Sequence, residues 1–181
     1  MIKEAISPHL LGSSFISSIF TGLNSLDMVE KNVKCSINKD AAIEGINAVR
    51  YSAAKYPDWT SKLYLLEAEQ HAIIDESQFE NRLQSISYCI SYYDASIACA
   101  KISKFIHEEG LACEKAGFYC KKKRDVRNAL MYFHQARHCY SEWGSSMKAD
   151  FIQNEINNLS LQLPPGHPDK SASSFAGKSL V

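Results

Sequence analysis

The chain has 181 residues, of which 45% are hydrophobic and 22% charged, and twenty Lys and Arg residues balance twenty Asp and Glu. This length suits one domain with a sizeable core. The balance excludes a global field that would attract nucleic acid or anionic lipid. No run approaches the about 18 uninterrupted apolar residues of a membrane span, and the N-terminus makes a poor secretory signal. We therefore expect a cytoplasmic protein whose six cysteines are reduced and mostly buried.

Helical periodicity begins near the N-terminus. Apolar residues recur every three or four positions from Phe15 to Val29, which predicts a helix over about 10–32. Asn38 can cap a second helix, and Pro57 lies just beyond its end. The apolar stripe of this second helix consists of Ala42, Ile46, Val49 and Ala53.

The middle of the chain predicts two more helices. Asp58 or Thr60 begins the first, and "DESQ" at 75–78 is a polar break before the long segment from Phe79 to Lys104. The isoleucines of that segment would also suit a strand. Because strict alternation and hairpin chemistry are both lacking, the spacing favours a helix.

The last third predicts three helices and a tail. The helices cover 107–122, 126–143 and 145–160, with "KRD" at 123–125 as a turn and Gly144 as a stop. After Leu163 the sequence is rich in Pro, Ser, Gly and Lys and has no apolar period. We therefore expect one domain over 1–163 and a disordered tail over 164–181.

Small and aromatic positions recur at an offset of 40 residues. The first copy comprises Cys89, Tyr93, Ser96 and Ala100, and the second comprises Ala129, Phe133, Ala136 and Tyr140. With Gly117, the second copy resembles the small and aromatic pattern of a tetratricopeptide repeat. Small residues let two helices approach closely, and the aromatic ring fills the gap between successive hairpins. We predict an all-α fold of antiparallel tetratricopeptide-like hairpins, with about six to seven helices and irregular repeat lengths.

A second resemblance covers roughly residues 15 to 158. It is carried by "FTGLNSL" (20–26), "AKYPDWTSKLYLLEAE" (54–69), "YYDASIACAKISKFIHEEGLACEKAGFYC" (92–120) and "ARHCYSEWGSSMKADFI" (136–152). These segments resemble the helical region of large microbial signalling proteins, which also carry a kinase-like domain, a predicted signal-transduction ATPase and a sensor with a histidine kinase or cyclase. The chain has no phosphate-binding loop and no kinase loop motif. The resemblance therefore implies the connecting scaffold alone, as a solitary paralogue, a fragment or a truncated gene model.

The stretch from 105 to 120 contains residues that suggest a metal or catalytic site. His107 and Glu108 begin like a zinc-peptidase helix, but the second histidine would have to stand where Leu111 stands. Cys113 and Cys120 are seven residues apart, about 10.5 Å along a helix, which is too far for one disulfide or one zinc ion. We interpret both cysteines as packing residues.

His134 and His138 lie four residues apart with Cys139 adjacent, so two ligands could in principle meet one ion. No further ligand pair stands at a recognised spacing. A small metal-binding protein or enzyme built on these residues is our alternative to a scaffold.

The basic cluster consists of Lys121, Lys122, Lys123 and Arg124. It could serve nuclear import or contact RNA. It also falls at a predicted turn, where cations complement the negative end of a helix. A solvated turn is the interpretation we favour, and a nuclear or RNA-associated adaptor is the second alternative.

Together these features favour a non-enzymatic helical-repeat scaffold that binds a protein partner, as a peptide or helix in a concave groove. We predict no catalytic residue, no cofactor and no metal site.

Overall fold

A computed structural model describes the backbone of residues 35–74 and 82–162 and the side chains of 40–73 and 84–162. This part of the chain forms six α-helices and one 3-10 turn and contains no strand, which confirms the all-α prediction. The elements are α1 (Cys35–Lys55), the 3-10 turn (Pro57–Trp59), α2 (Thr60–Ile74), α3 (Arg82–Ile102), α4 (Ile106–Lys122), α5 (Val126–Trp143) and α6 (Ser146–Ser160). The predicted helix over 10–32, the break at 75–78 and the tail at 164–181 lie outside the described residues.

Two of the helix boundaries that differ from prediction have a physical reason. Helix α1 begins at Cys35, so Asn38 lies inside its first turn and does not cap it. A polar residue marks a helix start only to within about a turn, because several polar residues can occupy the first turn. Helix α3 ends at Ile102, before the predicted Lys104, because Lys104 has a left-handed backbone with φ 58°.

The three connections between α3 and α6 share one geometry. Lys104, Arg124 and Gly144 all have positive φ and are twenty residues apart. The amide that follows each of them donates to a carbonyl five residues earlier, in the pairs Phe105–Ala100, Asp125–Cys120 and Ser145–Tyr140, each at 2.9 Å. This bond belongs to the Schellman motif, which ends a helix and reverses the chain.

Helices α2, α4 and α6 lie side by side in the same direction. The ion pairs that join them are Lys62–Glu108, Glu69–Lys115, Glu114–Lys148 and Lys121–Glu155. On each helix the two charges that face one neighbour are seven residues apart, which is about two turns and therefore one face. On each of the two faces of α4 that contact a neighbouring helix, the Glu precedes the Lys along the chain. On the matching faces of α2 and α6 the Lys precedes the Glu. This complementarity favours the parallel arrangement in the observed register.

Two glycines bring α4 and α5 together. A Cβ atom on Gly117 would lie 2.6 Å from two ring carbons of Phe133, and one on Gly110 would lie 3.1 Å from the ring of Tyr140. Because the pairs follow opposite orders in the two helices, α4 and α5 are antiparallel. Phe133 is fully buried, and Phe118 meets it edge to face with ring centroids 5.0 Å apart. We expected this ring between successive hairpins, but it packs on α4, the antiparallel neighbour of its own helix.

Candidate functional site: the groove between α2 and α4

An open cavity of about 240 Å³ lies between α2 and α4, and we call it the α2–α4 groove. Tyr93 reaches into it from α3, and Ala72, Ile73 and Phe118 supply apolar surface. Its charged lining residues are Glu69, Glu114, Lys115 and Lys122. The groove therefore combines an apolar wall with carboxylates and ammonium groups.

Glu69 joins three helices at this site. Its carboxylate accepts a hydrogen bond from the Tyr93 hydroxyl at 2.6 Å and one from the Lys115 ammonium at 3.1 Å. The three residues belong to α2, α3 and α4 respectively. Burial, together with the Glu69 carboxylate, raises the pKa of Tyr93 well above its ordinary value, so the phenol remains a donor.

Glu114 repeats this arrangement one hairpin later. It is buried, it accepts from the Tyr140 hydroxyl of α5, and both of its oxygens lie 2.9 Å from the Lys148 ammonium of α6. A buried carboxylate is tolerated when it is paired and hydrogen-bonded. We call the two sets, Glu69–Tyr93–Lys115 and Glu114–Tyr140–Lys148, the carboxylate junctions, and they tie each hairpin to the helix that follows it.

Tyr119 lines the same groove but differs from the junction tyrosines. Its hydroxyl is buried, and it has no hydrogen-bonding nitrogen or oxygen among the described residues. Burial, together with the neighbouring Cys89 thiol, raises the pKa of Tyr119. The phenol therefore stays protonated without a strong acceptor.

The two kinds of tyrosine give a matched prediction. Tyr140→Phe removes the hydroxyl donor of Glu114 and should lower the free energy of unfolding by about 1–3 kcal/mol, because a buried charged acceptor loses a partner. Tyr119→Phe removes a hydroxyl without a strong partner and should change the free energy of unfolding by less than about 0.5 kcal/mol. Urea unfolding of both variants measures the difference. Equal losses would mean that the Tyr140–Glu114 bond adds nothing to stability.

Glu108 connects α4 to α2. Its carboxylate accepts a hydrogen bond from the Ser61 hydroxyl at 2.6 Å and pairs with Lys62, both on α2. His107 packs against Trp143, with ring centroids 5.4 Å apart. The first two residues of the zinc-peptidase-like stretch thus connect α4 to other helices.

The structure separates the members of the second metal candidate. Cys139 is buried, and its Cβ atom lies 3.2 Å from the position of a Cβ on Gly110, whereas His138 is exposed. This thiol and this imidazole therefore face different surroundings. Within the described residues, no three His, Cys, Asp or Glu side chains come together to hold a metal ion.

Cys113 and Cys120 are buried in the core, as the packing interpretation expects. Burial raises the pKa of Cys113, and it raises the pKa of Cys120 to about 12. The pKa of Cys139 rises to about 12 for the same main reason. Because the thiolate is the nucleophilic form, these groups are unreactive near neutral pH.

The basic cluster is divided among several surroundings. Lys121 pairs with Glu155 of α6, and Lys122 lines the groove. The Lys123 ammonium lies 5.3 Å from the centre of the Tyr119 ring, and burial lowers its pKa. Arg124 is the turn residue with positive φ. The cluster thus includes a turn, as the interpretation of a solvated turn expects. Lys121, however, contacts another helix, and Lys122 lines the groove.

The sequence does not predict that the residues of the groove come together. Each carboxylate junction joins residues between 24 and 46 positions apart, and no local motif marks such a set. The sequence does carry one signal, the Lys and Glu pairs seven residues apart on α2, α4 and α6. That signal becomes interpretable only once these three helices are known to be neighbours.

No helix within the described ranges is long and apolar enough to cross a membrane. Comparison with protein-family models gives no match, and no curated protein or solved structure matches the chain. The tetratricopeptide type and the relation to signalling proteins therefore stay predictions.

Proposed function

We propose that this protein is a non-enzymatic, tetratricopeptide-like scaffold that binds a segment of a protein partner in the α2–α4 groove. The observation that carries this proposal is the groove itself, an open cavity at the boundary between two hairpins that combines Phe118 and Ile73 with charged groups. Surfaces of this composition suit a peptide, whose side chains alternate between apolar and polar contacts.

The size of the groove also supports a chain segment as its ligand. Sites for small molecules and cofactors usually enclose about 300–1,000 Å³ and bury most of the ligand. The α2–α4 groove measures about 240 Å³ and is open to solvent. It therefore fits a few side chains of a longer segment better than it fits a whole small molecule.

The carboxylate junctions support the proposal through rigidity. Glu69 and Glu114 both line the groove, and both are held by a tyrosine and a lysine from neighbouring helices. Side chains fixed in this way lose little conformational entropy when a partner binds. A preorganised wall is what a recognition surface needs.

The cellular context is proposed from resemblance. The segments that resemble the helical region of microbial signalling proteins include most of α2, α4 and the turn before α6. A partner in such a context is a signalling kinase or ATPase, or another segment of one. The scaffold would position that partner in the cytoplasm.

Affinity capture with a matched pair of charge reversals tests this function. The tagged full chain is used as wild type, as Lys122→Glu in the groove, and as Arg137→Glu on the exposed surface of α5. Proteins retained by the wild type and by Arg137→Glu should be depleted about tenfold or more with Lys122→Glu. A partner matched to the ammonium group would then face a carboxylate, and a mismatched charge at an interface costs several kcal/mol. Equal retention by all three proteins would rule out the groove as the binding surface.

A further inference from the structure

Helix α2 has two apolar faces, and α1 covers one of them. Leu63, Leu66 and Ile73 of α2 pack with α1 in a cluster that is separate from the main core. The residues that α1 contributes to this cluster, at positions i, i+4 and i+7, are Ala42, Ile46 and Val49. Leu66 is fully buried there. Helix α1 is therefore an amphipathic helix that packs on this face of α2 through a regular apolar stripe.

Helix α4 has an equivalent face. The junction glutamates of α2 and α4 hold the same place, because each accepts from a tyrosine of the next helix and pairs with a lysine one helix further on. Leu66 and Ile73 stand three residues before and four residues after the junction glutamate of α2. Leu111 and Phe118 stand at the same offsets from the junction glutamate of α4. Residues at these offsets share one side of a helix, so the two pairs occupy equivalent faces.

The face on α4 is more exposed than the face on α2, and it continues onto α6. Leu111 and Phe118 are only half-buried, whereas Leu66 is fully buried in the cluster with α1. The ring centroids of Phe118 and Phe151 of α6 are 6.1 Å apart. Phe151 is 45% exposed, and Met147, four residues earlier on the same side of α6, is 84% exposed. An apolar surface therefore runs from the α2–α4 groove, which Phe118 lines, onto α6.

The dimensions of this surface suit one more helix beside α1. Neighbouring packed helices are about 8–10 Å apart, so a helix on α4 would lie one helix spacing from the helix that packs on α2. Leu111 and Phe118 are seven residues apart, about 10.5 Å along α4. An apolar stripe at i, i+4 and i+7 has the same length, as the stripe of α1 has.

We propose that the partner segment is an amphipathic helix, which packs on Leu111, Phe118 and Phe151 as α1 packs on α2. Its apolar residues stand at i, i+4 and i+7. This inference rests on the proposed function, because it names the kind of segment that the α2–α4 groove binds and adds Phe151 to the binding surface. The reason to choose a helix over an extended chain is α1, a helix that already packs on the equivalent face.

Selection of peptides on the immobilised full chain tests the proposal. The probe is a displayed library of random peptides of about 16 residues, long enough for the stripe and a further turn at each end. We expect the recovered sequences to carry apolar residues at i, i+4 and i+7. A proline at i+5, outside the stripe, should weaken their binding at least about tenfold, because proline breaks a helix. Alanine at i+5 should leave binding within about twofold.

Variants of the protein locate the bound peptide. Phe151→Ala should weaken the recovered peptides at least about tenfold, as is usual for an aromatic anchor in an interface, whereas Met131→Ala on α5 should not. Met147→Glu gives the same test at a residue that is 84% exposed, so its effect cannot come from loss of a core contact.

The outcomes separate this inference from the proposed function. Peptides that tolerate the proline, or that bind equally to Phe151→Ala and Met147→Glu, would overturn the helix on α4 and α6. The scaffold function would still stand if Lys122→Glu weakened those peptides. A dimer of the free chain that Met147→Glu dissociates would make a second copy the occupant and would also overturn the inference. If no peptide were recovered, or if the recovered peptides were insensitive to Lys122→Glu as well, both proposals would fall.

Discussion

Replacing Phe133 with alanine should lower the free energy of unfolding by about 3–5 kcal/mol, the usual loss for a large aromatic residue in a packed core. The ring is fully buried and lies directly over Gly117, so its removal opens a cavity between α4 and α5. Met131 on the same helix is 47% exposed and provides the control. Met131→Ala should cost less than about 0.5 kcal/mol, as is usual for surface changes.

The contact with Gly117 can be isolated by a double-mutant cycle. Gly117→Ala alone should destabilise the protein by about 1–3 kcal/mol, because the new methyl group overlaps the Phe133 ring. In the Phe133→Ala background the same change should be neutral or stabilising by up to about 1 kcal/mol, since alanine is the better helix former. Additive losses in urea unfolding would show that the two positions do not touch.

Stability should fall steeply in alkali, by roughly 2 kcal/mol per buried thiol between pH 8 and 10. In the native state the pKa values of Cys120 and Cys139 are about 12, and that of Cys113 is raised further. In the unfolded chain a thiol ionises near pH 8.5. Above that pH the unfolded state binds fewer protons than the native state, so the free energy of unfolding decreases as pH rises.

Urea unfolding at pH 8 and pH 10 measures this dependence. Cys113→Ala removes one of the three thiols and should reduce the loss between the two pH values by about 2 kcal/mol. The variant is compared with itself at the two pH values, so the cavity that it creates cancels. A free energy of unfolding that is the same at pH 8 and pH 10 would mean that these thiols are not protected from ionisation.

Helix positions could be predicted well from sequence because they depend on local periodicity. The apolar period through Leu130, Phe133 and Ala136 predicts α5, and Gly144 predicts its end, as the structure confirms. The end of α3 was predicted less well. Lys104 has the left-handed backbone conformation that a glycine usually adopts at a helix end. A lysine in the sequence does not predict this conformation.

The groove could not be predicted in the same way, because it depends on residues brought together by packing. Glu69 and Lys115 are 46 positions apart, and neither stands in a recognisable motif. Histidines and cysteines are common metal ligands and nucleophiles, so their positions in the sequence suggested a site. In the structure Cys113, Cys120 and Cys139 are buried in the core. The polar residues that line the groove are tyrosines, lysines and glutamates.

Photo-cross-linking from the α2–α4 groove shows whether a protein partner binds there. A photoreactive residue is placed at Lys122, or at Arg137 on α5 as the control, in the full chain within its own cells. We predict discrete adducts heavier than the chain from position 122 and none of these adducts from position 137. The same adducts from both positions, or no heavier adduct from position 122, would mean that the groove does not bind a protein partner.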